Sequence, residues 1–245
     1  MARVGTGTDA RAPAPGPPAA AADKERGWRR AAVGTYRRSA AELAAVLPHA
    51  ARRGCRRFDT AALYRNERAT VEALSEWPDA RVTTKLHWRD LTGRDRTLEA
   101  VDRSLRALGG RADTVLLHAP TDAYAACWDA LLNDVCRDRV RHVGVSNFGV
   151  ARLETMEGVE VNQIELSLAC HRPQTVAHCV SRGIELQAYG TLRLDLATPA
   201  QCLNHVLAQG AVPVVGARTP AHLDETLGAA SSLARRPLFP RYRLA

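Results

Sequence analysis

The stretch VTTKLHWRDLTGRDRTLEAVDRSLRALGGRADTVLLH, residues 82–118, contains one complete strand–helix–strand unit. The short apolar runs at its two ends, Val82–Leu86 and Thr114–His118, are typical of strands that are buried on both faces. Between them, apolar residues recur at helical spacing over Thr97–Leu108, and two glycines follow, which is a typical helix end. The unit predicts a parallel strand pair, because a parallel connection needs a crossover of about this length.

The same alternation of strand and helix continues over the rest of the chain. The other predicted strands are Ala31–Gly34, Arg57–Ala61, Val140–Val145, Glu160–Ile164, Glu185–Ala188 and Val212–Val215. The other helical patterns are Ser39–Arg53, Gln174–Arg182, Pro199–Gln209 and Pro220–Leu233. Eight such strands in a chain of 245 residues predict an α/β fold, a single-domain (β/α)8 TIM barrel. A doubly wound dinucleotide-binding sheet is not supported, because no G-x-G-x-x-G follows any of these strands.

Composition separates a tail from the barrel. Residues 1–28 are rich in Ala, Pro and Gly and predict a disordered N-terminal tail, which leaves residues 29–245 for the barrel domain. The tail lacks the apolar segment of a secretory signal, and the six cysteines are scattered without any C-x-x-C. We therefore expect reduced thiols in a cytoplasmic protein. No apolar run is long enough for a membrane helix, so no membrane partner is expected.

The net charge of +8 is carried almost entirely by arginine. Of the 34 basic residues, only two are lysines, Lys24 in the tail and Lys85. The arginines are spread along the whole chain rather than gathered in one stripe, so we expect no nucleic-acid partner. Lys85 is thus the one lysine of the predicted barrel domain.

Four polar side chains are predicted to meet at the C-terminal ends of three adjacent strands, where barrels of this kind carry their function. Asp59, Lys85 and His118 stand at strand ends, and Tyr64 follows Asp59 by five residues. Each of them alone has an ordinary structural explanation, such as a helix cap, a rim residue or a partnered ion. Because an Asp and a Lys on apolar strands are costly to bury unless paired, their joint placement favours a functional site.

These four side chains can act together as a proton donor. Tyr64 is a weak acid with an ordinary pKa near 10, and a neighbouring ammonium would favour its phenolate. Lys85 can supply that charge as a compact ion held in place by Asp59. His118 can donate a hydrogen bond to a carbonyl oxygen. Together they would protonate an alkoxide while a hydride reaches the carbon.

The chain resembles the aldo-keto reductases in an ordered series of motifs between about residues 31 and 230. The motifs are GCRRFDTAALYRNE at 54–67, TTKL at 83–86, SLRALG at 104–109 with LLHAP at 116–120, VGVSNF at 143–148, VNQIE at 161–165, AY at 188–189 and GARTP at 216–220. A single motif of this kind would be weak evidence. The whole series in order indicates a short, loop-truncated member of the family.

The resemblance implies a carbonyl reductase that uses a nicotinamide cofactor and no metal. It assigns a catalytic tetrad with Tyr64 as the proton donor, consisting of Asp59, Tyr64, Lys85 and His118. It places Ser146, Asn147 and Gln163 at the nicotinamide carboxamide, Tyr189 under the nicotinamide ring, Gly34 and Thr35 beside the cofactor, and Gly216, Arg218 and Thr219 at the adenosine phosphate. Arg218 precedes a helix that begins near Pro220, and both features favour NADPH over NADH because they bind a 2′-phosphate.

The chain departs from the family pattern in its loops. The hairpin that closes the barrel floor in the family is not recognisable, and the segments after His118 and Tyr189 are short. We therefore expect an open site that accepts a bulky small-molecule carbonyl substrate. We also expect an apolar barrel floor that a partner could cover, with the oligomeric state left open.

Two other functions stay open on the same scaffold. One is reduction of a C=N or an activated C=C bond, although His118 argues against C=C because family members with that chemistry carry an acid there. The other is a cofactor-binding regulatory or structural subunit with vestigial activity. The short loop after Tyr189 favours this second alternative, whereas the complete tetrad opposes it.

Overall fold

The computed structural model describes residues 28–193 and 195–231, with the side chains of 229–231 left out. The predicted disordered tail therefore lies outside the described residues, apart from Trp28. Trp28 is helical and only 3% exposed, so the folded part includes this residue. The end of the predicted helix Pro220–Leu233 lies outside the described residues as well.

Eight parallel strands close into a barrel, which confirms the predicted (β/α)8 fold. The strands are β1 (Ala32–Gly34), β2 (Arg57–Asp59), β3 (Arg81–Leu86), β4 (Ala112–Leu117), β5 (Val140–Ser146), β6 (Val161–Glu165), β7 (Glu185–Tyr189) and β8 (Val212–Gly216). The barrel closes between β1 and β8, where Gly34 is in register with Gly216, and on its other side Gly34 is in register with Asp59. The ends of β8, β1 and β2 therefore lie side by side.

Helices follow the strands around the barrel. They are α1 (Ala40–Arg52), α2 (Glu67–Ala73), α3 (Arg94–Ala107), α4 (Tyr124–Asn133), α5 (Val150–Leu153), α6 (Pro173–Ser181), α7 (Pro199–Ala208) and α8 (Pro220–Ser231), with two short 3₁₀ turns at Ala62–Tyr64 and Trp88–Asp90. Their termini follow local chemistry. Ser39 caps α1 reciprocally with Glu42, and Thr198 caps α7 in the same way with Gln201. None of the helices in residues 28–193 and 195–231 is long and apolar enough to cross a membrane.

Polar side chains interrupt the buried strands inside the barrel. The largest fully buried side chains are apolar, except for Lys85. Asp59, Gln163 and Gln187 are also buried within strands. Burying such groups is costly unless they are hydrogen-bonded. These positions are therefore the ones at which the barrel interior is not a purely apolar core.

In the part of the chain that the structure describes, charged side chains border the barrel floor alongside apolar residues such as Ala32, Val159 and Val161, so the floor is not the uniformly apolar surface that was expected. A cavity of about 420 Å³ at this end is bordered by charged or titratable side chains, namely Arg57, Arg81, Asp113, His142, Glu160 and Glu185. Arg57 Nη1 donates to Glu185 Oε1 over 2.7 Å. Most of these residues lie in the first half of their strands, where side chains reach solvent instead of packing between the strands and helices.

Candidate active site

A cleft of about 570 Å³ opens at the C-terminal ends of the strands. Ten of the residues predicted for the site line it: Gly34, Asp59, Tyr64, Lys85, His118, Ser146, Asn147, Gln163, Tyr189 and Gly216. The cleft lining does not include Thr35, Arg218 or Thr219. Most of the predicted site residues therefore border one cleft, whereas Thr35, Arg218 and Thr219 do not.

Lys85 is the centre of the predicted tetrad. Its ammonium Nζ lies 2.6 Å from Asp59 Oδ1, 3.0 Å from the carbonyl oxygen of Thr60 and 3.4 Å from the Tyr64 hydroxyl oxygen. β2 and β3 are neighbours, which brings Asp59 and Lys85 together, and the 3₁₀ turn Ala62–Tyr64 folds the tyrosine back over them. The three donors of the ammonium therefore meet three acceptors in a site where the side chain is only 1% exposed.

Burial controls the acidity of Tyr64. Desolvation raises the pKa of Tyr64, and the electrostatic interactions with the Asp59 carboxylate and the Tyr36 phenol group raise it further. The net shift is therefore opposite to the lowering that was expected from Lys85, whose ammonium also pairs with Asp59. Burial also lowers the pKa of Lys85 itself, and Asp59 opposes that change. The phenol therefore holds its proton firmly before any substrate binds.

His118 is a neutral hydrogen-bonding group. Desolvation, followed by the charges of Lys85 and His87, lowers the pKa of His118 to about 4. Its ring stands edge-on to that of Tyr64 with 6.0 Å between the ring centroids. The Nδ1 atom is buried and has no partner among the described residues. If the proton of the neutral ring is on Nε2, the unpaired Nδ1 is only an acceptor. Leaving an acceptor unpaired costs less than leaving an N–H unpaired, so this tautomer is favoured and the ring can donate from Nε2.

A hydrogen-bonded path runs through the barrel from the floor to the cleft. Gln163 Nε2 donates to Asp59 Oδ2 over 2.7 Å and to Gln187 Oε1 over 2.9 Å. Gln187 Nε2 in turn donates to Glu185 Oε1 over 3.0 Å, the same oxygen that accepts from Arg57 on the floor. Gln163 thereby holds the second carboxylate oxygen of Asp59. Gln187 was not among the predicted site residues, although a glutamine inside the apolar run of β7 was a signal.

The residues predicted for the nicotinamide carboxamide lie together. The hydroxyl of Ser146 donates to the backbone oxygen of Gln163 over 2.9 Å. Asn147 has a left-handed backbone, with φ of 66°, and its Nδ2 donates to the His118 carbonyl oxygen over 3.0 Å. The hydroxyl of Tyr189 donates to Asn147 Oδ1 over 2.7 Å. The ends of β4, β5, β6 and β7 are thus tied into one polar wall.

Thr35 supports the loop after β1 and does not face the cleft. It is fully buried, and its hydroxyl donates to Asn66 Oδ1 over 3.2 Å. Asn66 Nδ2 donates back to the carbonyl oxygens of Thr35 and Arg38, over 2.8 and 3.2 Å. Gly34, by contrast, borders the cleft directly. Asn66, which belongs to the motif at 54–67, holds the loop after β1 in place and was not among the predicted site residues.

Of the three residues predicted to bind the adenosine phosphate, one lines the cleft and two do not. Gly216 lines the cleft, whereas Arg218 is 69% exposed and lies 3.8 Å from Glu42 Oε1. Thr219 is exposed, and its hydroxyl accepts from the backbone N–H of His222 at the start of α8. Arg218 and Thr219 therefore stand just outside the cleft, beside its Gly216 end.

Aromatic rings border the mouth of the cleft. Tyr36 is 51% exposed and its ring centroid lies 4.9 Å from that of Tyr64. Trp88 is 39% exposed and stands edge-on to His118, with 5.5 Å between centroids. Exposed aromatic rings therefore lie next to both Tyr64 and His118, with Tyr36 lining the cleft.

Comparisons with known proteins match this chain to reductases and other oxidoreductases. A sequence model of the Aldo/keto reductase family matches residues 28–201. An uncharacterised oxidoreductase of Schizosaccharomyces pombe is 36% identical over 57% of this chain and 55% of its own length. A second one from the same yeast is 31% identical over 72% of this chain and 75% of its own length. The glyoxal reductase of Bacillus subtilis is 34% identical over 58% of this chain and 55% of its own length.

Solved structures share the fold. An aldo/keto reductase from Brucella melitensis superposes with a TM-score of 0.73 and 27% identity, over 82% of this chain and 88% of that one. A mutant of the protein Gox0644, crystallised in complex with NADPH, superposes with a TM-score of 0.72 and 25% identity, over 82% and 83% of the two chains.

Proposed function

This chain belongs to the aldo/keto reductase family, and on that basis we propose that it reduces an aldehyde or ketone to an alcohol with a nicotinamide cofactor, NADPH in preference to NADH. The observation that carries the proposal is the buried contact of Lys85 with both Asp59 and Tyr64, beside a neutral His118. The glyoxal reductase among the relatives and the NADPH complex among the structural neighbours support the substrate class and the cofactor.

The cleft fits a dinucleotide cofactor. Three buried polar atoms at or beside it, Arg38 Nε, His118 Nδ1 and Thr191 Oγ1, have no partner among the described residues. Gly34 and Gly216 leave bare backbone along one side. In this proposal Ser146, Asn147 and Gln163 hold the nicotinamide carboxamide, and Tyr189 lies against the ring. Arg218 and Thr219 stand where a 2′-phosphate at the Gly216 end can reach them.

The chemistry assigns a role to each member of the tetrad. A bound reduced nicotinamide supplies the hydride that adds to the carbonyl carbon. Tyr64 gives its phenolic proton to the carbonyl oxygen, so the product is an alcohol and the phenolate then regains a proton from solvent. His118 donates a hydrogen bond to the same oxygen as negative charge develops there. Lys85 stabilises the phenolate that Tyr64 becomes, and Asp59 keeps Lys85 charged and in place.

The high pKa of Tyr64 is compatible with this role. The phenol is fully protonated at neutral pH, so the proton donor is always loaded. Its proton leaves only when an alkoxide forms within hydrogen-bonding distance, since an alkoxide is a much stronger base than water. The geometry thus favours a proton transfer from Tyr64 that accompanies hydride transfer, rather than ionisation of the tyrosine beforehand.

The experiment is a turnover assay. NADPH consumption is followed by absorbance with a panel that contains glyoxal, small aliphatic aldehydes, aromatic aldehydes and ketones. We expect catalytic oxidation of NADPH with at least one aldehyde, and an alcohol as the product in equal amount. Tight cofactor binding without turnover on any carbonyl would contradict the proposal and favour a binding subunit.

A further inference from the structure

Arg38 is a basic side chain at the Gly216 end of the cleft. It takes no part in the proposed catalytic contacts or in the proposed binding of the nicotinamide. It lines the cleft, and a Cβ atom built on Gly216 would lie 3.8 Å from Arg38 Nη2. The Nε atom of Arg38 is buried and no described residue accepts a hydrogen bond from it. A buried guanidinium N–H without an acceptor is costly, so this nitrogen is available to bind an anion.

The backbone of Arg38 is fixed before any ligand binds. Its carbonyl oxygen accepts from Asn66 Nδ2, which also holds Thr35. At the tip of the side chain, Nη1 donates to the Arg37 carbonyl oxygen over 3.2 Å and lies 4.0 Å from Glu42 Oε1. The other edge of the guanidinium, formed by Nε and Nη2, is the edge that binds a phosphate through two parallel hydrogen bonds.

Thr191 supplies a second unpartnered polar atom along the same cleft. It is buried, it follows the end of β7, and its Oγ1 has no partner among the described residues. β8 lies between β7 and β1 in the closed barrel, so the end of β8 at Gly216 is flanked by Thr191 on one side and Arg38 on the other. Two residues without side chains, Gly190 and Gly216, also line this cleft.

We propose that Arg38 and Thr191 form the subsite that binds the diphosphate of the cofactor. This inference rests on the proposed function, and it separates two anion sites. The diphosphate, which NADPH and NADH share, lies on Arg38 and Thr191 inside the cleft. The 2′-phosphate, which only NADPH carries, lies outside on Arg218. Because the loop after Tyr189 is short, binding of the diphosphate depends on these two side chains.

Binding measurements on single variants test the subsite. Dissociation constants for NADPH, NADH, ADP and adenosine are measured by quenching of tryptophan fluorescence. Arg38→Met should weaken NADPH, NADH and ADP alike by about 10- to 100-fold, the effect of one lost charge-assisted contact, and leave adenosine unchanged. Arg38→Lys should give a smaller loss. Thr191→Val should weaken the same three ligands by about 2- to 10-fold.

Two further variants supply the controls. Arg68→Gln removes an arginine whose side chain is 83% exposed and paired with Glu72, and it should leave all four constants unchanged. Glu42→Gln removes the carboxylate that lies near both Arg38 and Arg218 but keeps a residue able to cap α1. It should tighten binding of NADPH.

The outcomes separate the subsite from the proposed function. A wild type that binds both dinucleotides, together with an Arg38→Met variant of unchanged affinity and melting temperature, would overturn the subsite alone. A loss confined to NADPH would also overturn it, because Arg38 would then serve the 2′-phosphate. A wild type that binds neither dinucleotide would overturn the proposed function and the subsite with it.

Discussion

Lys85 and Asp59 form a fully buried ion pair, with 2.6 Å between Nζ and Oδ1 and side-chain exposures of 1% and 4%. Such a pair is expensive to desolvate and does little for stability that apolar residues could not do. In this barrel the same ammonium also lies 3.4 Å from the Tyr64 hydroxyl. The pair therefore explains how a cation can stand next to the proposed proton donor, Tyr64, inside an apolar core.

Replacing Lys85 by arginine should be nearly as damaging as replacing it by methionine. A planar guanidinium is larger than an ammonium and cannot place three donors on Asp59, the Thr60 carbonyl and Tyr64 in a fully buried space. We expect kcat to fall by at least about 100-fold in both variants. Lys85→Met should in addition lose about 3–5 kcal/mol of stability, because it leaves Asp59 buried without its ion partner. An Arg variant with near-normal kcat would show that charge alone suffices there.

Gln187→Leu should destabilise the fold by about 1–3 kcal/mol, because it leaves an N–H of Gln163 and the Glu185 carboxylate each short of one hydrogen bond. Denaturant unfolding measures the change. Gln209→Leu, at the end of α7 where the side chain bonds only to His205, is the matched control and should change stability little. Equal effects in the two variants would mean that the path through the barrel adds no stability.

The pKa of His118 predicts a pH dependence of stability. Its pKa is about 4 in the folded protein, against an ordinary value of 6.5, so the unfolded chain binds this proton first as pH falls. The contribution of His118 to the free energy of unfolding is therefore fully present above about pH 6.5. It is lost as the pH falls from 6.5 to 4, which lowers the stability by up to about 3 kcal/mol. Unfolding of wild type and His118→Gln at a series of pH values should diverge in this window. Parallel curves, or an NMR titration of His118 near 6.5, would contradict the assignment.

Much of the barrel follows from local pattern. The eight strands were predictable because buried parallel strands are short apolar runs, and the tetrad was predictable because parallel strand ends meet at one face. The helices α2, α4 and α5 were not singled out; α2 and α5, with seven and four residues, give too little periodicity to detect.

The rest depends on contacts between distant residues. Arg38 is one arginine among 32, and only its approach to Gly216, far along the chain, distinguishes it. Gln187 matters through Gln163 on the neighbouring strand. The pKa of Tyr64 depends on how deeply the phenol is buried, which the sequence does not state.

Arg218→Ala should weaken NADPH by about 10- to 100-fold and leave NADH nearly unchanged, because a single charge-assisted contact to the 2′-phosphate is lost. The side chain is exposed and loosely paired with Glu42, so it is free to turn to a ligand. Titration of both cofactors into wild type and variant gives the result. Equal losses for the two cofactors, or a wild type that prefers NADH, would exclude Arg218 as the determinant of cofactor choice.

Turnover by Tyr64→Phe tests the central claim most directly. The variant keeps the ring and removes only the hydroxyl that lies 3.4 Å from Lys85 Nζ. Tyr124→Phe, which removes an exposed hydroxyl bonded to Thr155 away from the cleft, is the matched control. With an aldehyde that the wild type reduces, the account predicts a fall in kcat of about 10²- to 10⁴-fold for Tyr64→Phe, unchanged NADPH affinity, and normal kcat for Tyr124→Phe. Near-normal kcat in Tyr64→Phe would remove this tyrosine from the proton transfer and contradict the account.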